Sequence, residues 1–275
     1  MTRGIVRHLA TAALCIGLPV ACGGPEPTPL AAAEPAWNHD PDDSSLGPTA
    51  WGSIDQAFEA CRTGTSQSPV DIAGTVDADL PPLSFDYGAT PLFVENTGHT
   101  VEVPMPEDSE QTLTVGEDAY RLAQYHFHAP SEHTLDGESF DAEAHLVHEN
   151  DDGEIAVVGV FLVVGAPTSE LFDEVLTNAP EEAGEAVEAG GDRSPIELLP
   201  GGQVTGYYTY PGSLTTPGCD EGVRWIVLQD PLAVSATAVD RLHGLIASLP
   251  GYDGYENNNR PTQPLNDRVI ERSPG

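Results

Sequence analysis

The chain has 275 residues, of which 39% are hydrophobic, so it is long enough to bury one large core or two small ones. It carries 44 acidic residues against 10 basic ones, all of them Arg, which gives a formal net charge of −34. A field of that sign repels phosphate groups, and we therefore exclude nucleic acid and anionic lipid headgroups as partners.

The first segment of the chain has the pattern of an export signal. Two arginines precede a short apolar run, which is too short to span a bilayer. Cys22 follows with two glycines, as in a bacterial lipoprotein site, where the cysteine carries lipid and becomes the new N-terminus. Pro19 stands where Leu is usual, so ordinary cleavage with a free Cys22 is the alternative. We predict a signal peptide over residues 1–21, export to the periplasm or cell surface, and a lipid anchor on Cys22.

Residues 22–48 are rich in proline, small and acidic residues and contain little to bury. That composition predicts a disordered tether, which would hold a folded domain over residues 49–275 away from a membrane surface.

Since residues 1–21 hold two Arg and no acid, the exported form has a formal charge of −36. Salt screens such self-repulsion, so we predict a halotolerant protein, with a lineage-wide acidic bias as the alternative.

Two of the four cysteines lie in the signal or at its end, which leaves Cys61 and Cys219 in the domain. In an oxidising compartment two such cysteines are most simply a disulfide. An unstrained bond would close a loop of more than a hundred residues. It would stabilise the fold by about 4–5 kcal/mol in the chain-entropy account. Two separate buried thiols are the alternative.

Short segments rich in Val, Thr, Tyr and Phe recur along the domain between Gly, Pro and Asp turns, which is typical of β-strands. Ile155–Val164 is apolar on both faces and predicts a central strand covered on each side. Two amphipathic segments, Ser169–Ala189 and Ala236–Ser248, predict helices. We expect one mostly β (α+β) domain with a large, mainly antiparallel or mixed twisted sheet and a few peripheral helices. The other predicted strands are Pro91–Asn96, Thr100–Val103, Leu113–Val115, Arg121–His128, Ala142–His148, Val204–Tyr210 and Val223–Leu228.

Histidines cluster on two of these predicted strands. Because residues two apart in a strand share a face, Gln124, His126 and His128 face the same way. Glu143 and His145 do so on the next strand. Three neutral histidines with an open fourth position describe a catalytic zinc site, and a glutamine or glutamate beside a ligand accepts its second ring N–H.

The spacing alone leaves the set of ligands open. His133 and His148 are equally available, although a regular strand turns His148 to the face opposite His145. An isolated His-x-His pair on a strand is more often structural than metal-binding. The pattern therefore indicates a metal site without deciding its members.

The histidines belong to a longer pattern that resembles a known family. Segments 126–134 (HFHAPSEHT) and 142–148 (AEAHLVH) resemble the signature of the alpha-class carbonic anhydrases, in their compact bacterial form. The resemblance covers residues 51–268. Five further blocks match in the right order: QSPVDI at 67–72, NTGH at 96–99, YPGSLTTP at 210–217, WIVL at 225–228 and NRPTQPL at 259–265.

This resemblance implies an enzyme that hydrates carbon dioxide reversibly to bicarbonate and a proton, by attack of a zinc-bound hydroxide. It implies that His126, His128 and His145 bind Zn²⁺ and that Gln124 and Glu143 support them. Carbon dioxide, bicarbonate and water are the implied small-molecule partners, and the chain would act as a monomer or a homodimer. A non-catalytic zinc-binding or surface-binding module on the same fold is the alternative.

The resemblance also implies roles for residues outside the histidine cluster. Thr215 would accept the hydrogen of the zinc hydroxide and would itself be held by Glu132. His99 matches the proton shuttle, and Cys61 and Cys219 match the disulfide of secreted members. The implied substrate-binding residues are Val147, Val157, Leu214, Thr215, Thr216 and Trp225.

Three residues depart from the family pattern near the shuttle. Ser53 stands where Tyr usually follows Trp-Gly, and Thr97 and Glu102 each replace an Asn. These positions order water between zinc and shuttle, so they bear on the speed of proton transfer. If Glu102 lies close to His99, we expect it to raise the pKa of that histidine.

Overall fold

The structure is a computed structural model that describes residues 36–202 and 204–274. Fifteen strands and four α-helices occur in these ranges. The helices are α1 Trp51–Ile54, α2 Ala60–Thr63, α3 Glu170–Asn178 and α4 Ala236–Ala247, with 3₁₀ turns at Gln56–Phe58, Pro195–Leu198 and Pro200–Gly202. The strands are β1 Asp71–Ile72, β2 Val76–Asp77, β3 Leu83–Asp86, β4 Thr90–Asn96, β5 Val101–Pro104, β6 Thr112–Val115, β7 Asp118–His128, β8 Thr134–Leu135, β9 Ala142–Glu149, β10 Ile155–Val164, β11 Val187–Arg193, β12 Tyr207–Ser213, β13 Glu221–Leu228, β14 Leu232–Val234 and β15 Glu271–Arg272.

Thirteen of these strands form one mixed sheet. Its main order is β11–β4–β5–β7–β9–β10–β13–β12–β15–β2, with β6 beside β7, β3 beside β6 and β14 beside β10. Most neighbours are antiparallel, but β10 runs parallel to β13 and β14, and β15 runs parallel to β2. The two remaining strands, β1 and β8, pair with each other. The predicted fold class is confirmed.

β10 lies at the centre of the sheet and separates two apolar clusters. Val158 and Val160 point into the larger one, together with the apolar faces of α3 and α4. Val157 and Phe161 point into the smaller one, beside Trp225. Because successive side chains of a strand point to opposite faces, both faces of β10 are apolar and covered. The prediction of a central strand with two covered faces is confirmed.

A register irregularity between Leu122 and Gln124 changes which face of β7 points into the core. Before it, Tyr120 and Leu122 are buried, at even positions; after it, the odd positions Tyr125 and Phe127 are buried in the same cluster. A bulge of this kind adds one residue to a strand and shifts its alternation by one. The even-numbered residues after the bulge therefore face away from the large cluster.

The helix expected over Ser169–Ala189 is shorter than predicted. α3 begins after Ser169, whose hydroxyl accepts a hydrogen bond from the N–H of Phe172. It ends at Asn178 because Ala179 precedes Pro180 and is extended, with ψ 128°. A residue before proline avoids the helical region, and the chain continues into β11 instead. The second predicted helix is confirmed as α4, capped by Ser235.

The folded part begins before residue 49. Trp37, Asn38 and His39 are 8%, 2% and 1% exposed. The indole N–H of Trp51 donates to the carbonyl oxygen of Asn38 at 2.9 Å. Residues 37–48, which their composition assigned to the tether, thus contribute buried aromatic rings to the domain. The predicted signal peptide, Cys22 and the first part of the tether lie outside the described residues.

Cys61 in α2 and Cys219 in the loop before β13 form a disulfide, with their Cα atoms 5.0 Å apart. The bond lies in a small apolar cluster with Trp37 and Trp51. The predicted pairing is confirmed, and it links positions 158 residues apart. In residues 36–202 and 204–274, no helix has the length and hydropathy that a membrane span requires.

Candidate metal centre

Three histidines from two adjacent strands meet on one side of the sheet. β7 carries His126 and His128, and β9 carries His145 directly opposite His126. One nitrogen from each ring lies within 4.8 Å of the others. His128 and His145 are each 1% exposed, and His126 is half-buried. The pairing of β7 with β9, together with the bulge in β7, directs all three rings away from the large apolar cluster.

The outer nitrogens of the two β7 histidines are held by hydrogen-bond acceptors. Nδ1 of His126 donates to Oε1 of Gln124 at 2.8 Å. Nδ1 of His128 donates to the backbone carbonyl oxygen of Asn258 at 2.7 Å. Both rings therefore present an unprotonated Nε2 to the cluster. Sequence reasoning missed Asn258; its only signal was its place directly before the NRPTQPL block.

Glu143 lies beside the third histidine of the cluster, His145, and also accepts a hydrogen bond from a fourth histidine, His133. Its Oε1 lies 3.1 Å from Nε2 of His145 and accepts from Nδ1 of His133 at 2.8 Å. The other nitrogen of His133 is bonded to the hydroxyl of Tyr210 at 2.7 Å. Burial alone would raise the pKa of Glu143, but His133 and His145 hold it well below its usual value. With both of its nitrogens engaged, His133 has none left for a metal.

The residues present fit a zinc ion. Burial lowers the pKa values of His126 and His128, so both rings are neutral at pH 7, the form that binds metal. Within the described part of the chain, the buried Nε2 of His128 has no hydrogen-bond partner. An unpaired buried nitrogen costs about 1–3 kcal/mol, and a cation bound by the three rings would satisfy it. Three neutral imidazoles with space for a further ligand are the donor set of a catalytic zinc site.

Glu132 lies against the cluster but is not joined to Thr215. Its Oε1 accepts from the backbone N–H of Arg260 at 2.7 Å. Its Oε2 lies 3.6 Å from Nε2 of His128 and has no hydrogen-bond partner in the described ranges. Thr215 is 6% exposed, and no hydrogen bond links its hydroxyl to Glu132 among the described residues. The contact implied by the resemblance is therefore absent from this arrangement of side chains.

His148 lies apart from the cluster, as expected for the opposite face of β9. Its Nε2 is hydrogen-bonded to the hydroxyl of Tyr87, and its Nδ1 lies 3.2 Å from the carbonyl oxygen of Ala156. The ring is completely buried. It serves the packing of the sheet.

Four of the expected substrate residues, Val147, Val157, Leu214 and Trp225, form an apolar surface beside the three histidines. Val157 of β10 stands between Val147 of β9 and Trp225 of β13 in the strand register. The Trp225 ring centroid is 4.8 Å from that of His145. Leu214 packs against the same apolar cluster. Three strands and the loop after β12 thus supply this surface.

A cavity of about 190 Å³ opens onto the β7 histidines. Thr97, Glu102 and Thr216 line it, as sequence reasoning placed them. Ser53 does not, because it is exposed on α1. The remaining lining residues are Trp37, His39, His99, Thr100, Gln124, His126 and His128.

His99 lies in this cavity between an indole ring and a phenol. Trp37 stacks on it, with ring centroids 3.6 Å apart and planes 11° apart. The hydroxyl of Tyr252 is 3.2 Å from its Nδ1. Burial lowers the pKa of His99 to about 4, so the net shift is opposite in direction to the rise expected from Glu102. Burial, with Glu95 nearby, raises the pKa of Glu102 itself to about 7.

His39 is a further cavity residue, and sequence reasoning missed it. Its Nδ1 is 2.6 Å from the hydroxyl of Tyr252, and its ring centroid is 6.5 Å from that of His128. It went unnoticed because it lies in the segment read as tether. The pair of aromatic side chains at Trp37 and His39, in an otherwise small and acidic stretch, was the available signal.

Comparison with known proteins gives a consistent match over the described domain. The family model of the eukaryotic-type carbonic anhydrases matches residues 46–274. A carbonic anhydrase from Klebsiella pneumoniae is 35% identical over 234 residues, covering 85% of this chain and 89% of that protein. One from Neisseria gonorrhoeae is 37% identical over 234 residues, covering 85% of this chain and 86% of that protein. The alpha-carbonic anhydrase of Thermovibrio ammonificans, solved with the inhibitor sulfanilamide, has a TM-score of 0.77 and 38% identity, covering 86% of this chain and 98% of that one.

Proposed function

The chain belongs to the eukaryotic-type, or alpha-class, carbonic anhydrases, and from this premise we propose how it hydrates carbon dioxide. The reaction would take place at a zinc ion held by Nε2 of His126, Nε2 of His128 and Nδ1 of His145. The observation that carries this assignment is the orientation of the ring nitrogens of these three histidines. The outer nitrogen of each faces an acceptor, while the other three nitrogens converge.

Zinc, when bound, lowers the pKa of a coordinated water enough to supply hydroxide at neutral pH, as is established for carbonic anhydrases as a class. The chain's own part is to fix the ligands. Gln124 and Asn258 each accept a hydrogen bond from the outer nitrogen of one ring, which sets its tautomer and orientation, and Glu143 lies 3.1 Å from the outer nitrogen of the third. His126 and His128 are therefore already oriented for binding.

The apolar surface of Val147, Val157, Leu214 and Trp225 would receive carbon dioxide, which has no charge and no strong hydrogen-bonding group. Expulsion of water from this surface places the substrate beside the cluster. Thr215 and Glu132 would orient the nucleophile. Their hydrogen bond is part of this proposal, and we expect it to form when the metal is bound.

Each turnover releases a proton, which must leave the buried cluster. His99 lines the same cavity and is the group we assign to pass that proton outward. Histidine suits this task because a neutral ring nitrogen can accept a proton and the resulting cation can release it again. The surroundings of His99 differ from those of an open, solvated histidine, because Trp37 and Tyr252 enclose its ring.

Replacement of a proposed ligand tests the assignment. We expect His128→Ala to lose bound zinc and to reduce carbon dioxide hydration to the uncatalysed rate, because two imidazoles and a buried unpaired acceptor cannot hold the metal. Zinc content is measured by elemental analysis, and hydration by stopped-flow with a pH indicator. His243→Gln, which changes a histidine of α4 outside the cluster, is the control and should keep both properties.

Two outcomes would contradict the proposal. Full zinc content in His128→Ala would show that the metal is held elsewhere. Full zinc content in the unaltered protein without turnover would favour the non-catalytic zinc-binding or surface-binding module.

Export to the periplasm or cell surface is part of the proposal and is supported by the disulfide, a bond typical of oxidising compartments. Carbon dioxide, bicarbonate and water would be the small-molecule partners, in a monomer or homodimer. A mass spectrum of the exported protein tests the lipid on Cys22. A mass that corresponds to cleavage before residue 22 plus a diacylglyceryl group is expected, whereas an unmodified N-terminus would contradict the anchor.

A further inference from the structure

One buried hydroxyl lies between two histidine rings in the cavity. Tyr252 is 2% exposed, and its hydroxyl oxygen is 2.6 Å from Nδ1 of His39 and 3.2 Å from Nδ1 of His99. Tyr252 comes from the turn after α4, His99 from the turn after β4, and His39 from the N-terminal segment. Three distant parts of the chain therefore meet at a single oxygen atom.

A hydroxyl has only one hydrogen to donate, so it cannot donate to both rings. Burial raises the pKa of Tyr252, so this hydrogen remains in place. Burial likewise lowers the pKa values of His39 and His99, so both rings are neutral and each carries one N–H. Among the described residues the Tyr252 hydroxyl has no hydrogen-bond partner other than these two rings, so a buried O–H that is not left unpaired must donate to one of them. That ring accepts the tyrosine hydrogen at Nδ1, and the other ring donates its Nδ1–H to the tyrosine oxygen. The tautomers of the two histidines are thereby coupled.

The two distances distinguish the two possible arrangements. Hydrogen bonds donated by a hydroxyl are usually shorter than those donated by a ring N–H, with typical heavy-atom separations of about 2.7–2.8 Å and about 2.9–3.0 Å. The shorter contact is to His39 and the longer one is to His99. We propose that Tyr252 donates to Nδ1 of His39 and accepts from Nδ1–H of His99, so that it fixes Nε2 of His99 as the proton acceptor.

Tyr252 is thus a positioning residue for the proposed function, on which the catalytic part of this inference rests. With Nδ1–H bound to the tyrosine oxygen, Nε2 of His99 holds a free lone pair. It accepts a proton from water in the cavity, which makes the ring a cation, and then releases that same Nε2 proton to buffer. In the opposite tautomer Nε2 already bears a hydrogen, so the neutral ring could not accept there.

The ring of His99 is held in the position that this assignment needs. Trp37 covers its face at a centroid distance of 3.6 Å. The side-chain amide of Asn258 donates to the backbone carbonyl oxygen of His99 at 3.1 Å. A 180° flip of the ring about its Cβ–Cγ bond would put a carbon atom in place of Nδ1 and so break the contact to Tyr252. The same flip of His39 would break its shorter contact to that hydroxyl.

The tautomers can be read directly by long-range ¹⁵N–¹H NMR on zinc-loaded protein labelled at histidine. We expect His99 as the Nδ1–H form and His39 as the Nε2–H form, with signals assigned from His99→Gln and His39→Gln. This measurement needs no activity. In Tyr252→Phe we expect His99 to shift toward the Nε2–H form, because its Nδ1–H has lost its acceptor. Tyr255→Phe, in the same turn, is the matched control and should leave both tautomers unchanged.

The kinetic measurement separates proton transfer from hydration. We expect Tyr252→Phe to lower the proton-transfer step of ¹⁸O exchange by about fivefold, the factor that loss of one ordinary hydrogen bond makes in an equilibrium. The ratio kcat/KM for hydration, which does not include release of the proton to buffer, should change little. A loss of packing alone would instead lower both quantities together.

Two results would overturn the inference. One is an Nε2–H form of His99 in the unaltered protein. The other is a Tyr252→Phe protein with an unchanged His99 tautomer and an unchanged proton-transfer rate. Absence of hydration in the unaltered protein would contradict the proposed function instead, and the NMR result would still decide the tautomers.

Discussion

His148 and Tyr87 form a buried polar pair on the side of the sheet that faces away from the histidine cluster. Both rings are buried, and they stack with their planes 13° apart. Burial lowers the pKa of His148 from 6.5 to about 4. The ring is therefore neutral in the folded protein over a range of pH in which the unfolded chain binds a proton.

This difference makes stability depend on pH with a definite sign. Below pH 6.5 the unfolded state gains a proton at residue 148 that the folded state does not bind until about pH 4. The contribution that a neutral His148 makes to the free energy of unfolding is thus fully present above pH 6.5 and is lost as the pH falls toward 4. At pH 5 the loss is about 2 kcal/mol, because one pKa unit corresponds to about 1.4 kcal/mol.

Replacement of His148 tests this sign. We expect His148→Gln to be less stable than the unaltered protein at pH 7.5, since it disturbs the bond to Tyr87. Its free energy of unfolding should fall less between pH 7.5 and pH 5, by about 2 kcal/mol. Denaturant titrations at both pH values measure this difference, with His243→Gln as the control. Parallel pH dependence in His148→Gln and the unaltered protein would contradict a neutral buried His148.

At the level of whole elements, the bulge in β7 separates the strand into two halves with different tasks. The half before it contributes Tyr120 and Leu122 to the large cluster at even positions. The half after it carries His126 and His128 at even positions and contributes Tyr125 and Phe127 to the same cluster. A strand of regular alternation would place the histidines on the side of Tyr120 and Leu122.

The N-terminal segment, residues 36–48, is an element of the domain without regular helix or strand. Trp37 is its anchor, stacked on His99 and packed edge-on against Trp51 at a centroid distance of 5.3 Å. We expect Trp37→Ala to lower the free energy of unfolding by about 3–5 kcal/mol, as for other buried aromatic residues. Chemical denaturation measures the loss, and Trp37→Phe should recover part of it. An Ala variant as stable as the unaltered protein would show that this segment is part of the tether after all.

Sequence reasoning predicted strands and the histidine cluster well because both depend on local alternation. β10 begins and ends where its apolar run predicted, and His126, His128 and His145 meet because β7 pairs with β9. Sequence reasoning failed where the structure depends on contacts between distant parts of the chain. Asn258 reaches His128 from 130 positions away, and no local pattern predicts such a contact.

Two other differences between the predicted and the observed structure have local causes that are visible in the sequence. Ala179-Pro180 ends α3, and the amphipathic pattern that continued beyond it was read as more helix. His39 was overlooked because composition was averaged over residues 22–48, which hid the aromatic residues near the end of that stretch. The average composition of a segment does not show which of its individual side chains are buried.

At the scale of the whole molecule, the arginines of the described residues all have acidic or carbonyl partners. Of the eight arginines in the described part of the chain, six pair with acidic side chains. The other two, Arg260 and Arg268, donate to backbone carbonyl oxygens. Most of the 44 acidic residues therefore have no basic neighbour to offset them. Surface pairs contribute little in any case, so net repulsion governs the electrostatics of the fold.

Salt should accordingly stabilise this protein. We expect its melting temperature to rise steadily with sodium chloride between 0.1 and 1 M, as the screening length falls from about 10 Å to about 3 Å. Calorimetry at fixed pH measures the trend. A matched series in sucrose separates charge screening from general exclusion effects, because sucrose carries no charge. A melting temperature that stays flat or falls with salt would rule out self-repulsion as a limit on stability.

The hydrogen bonds from residues 258 and 260 back to His128 and Glu132 have a consequence for the order of events during biosynthesis. His128 acquires its outer acceptor, and Glu132 its backbone donor, only from residues that lie 130 and 128 positions further along the chain. A nascent polypeptide that ends before residue 258 would contain all three histidines, together with Gln124 and Glu143, but not the acceptor that orients His128. Metal uptake in a fully oriented site would thus require that residue 258 has been synthesised and packed against β7.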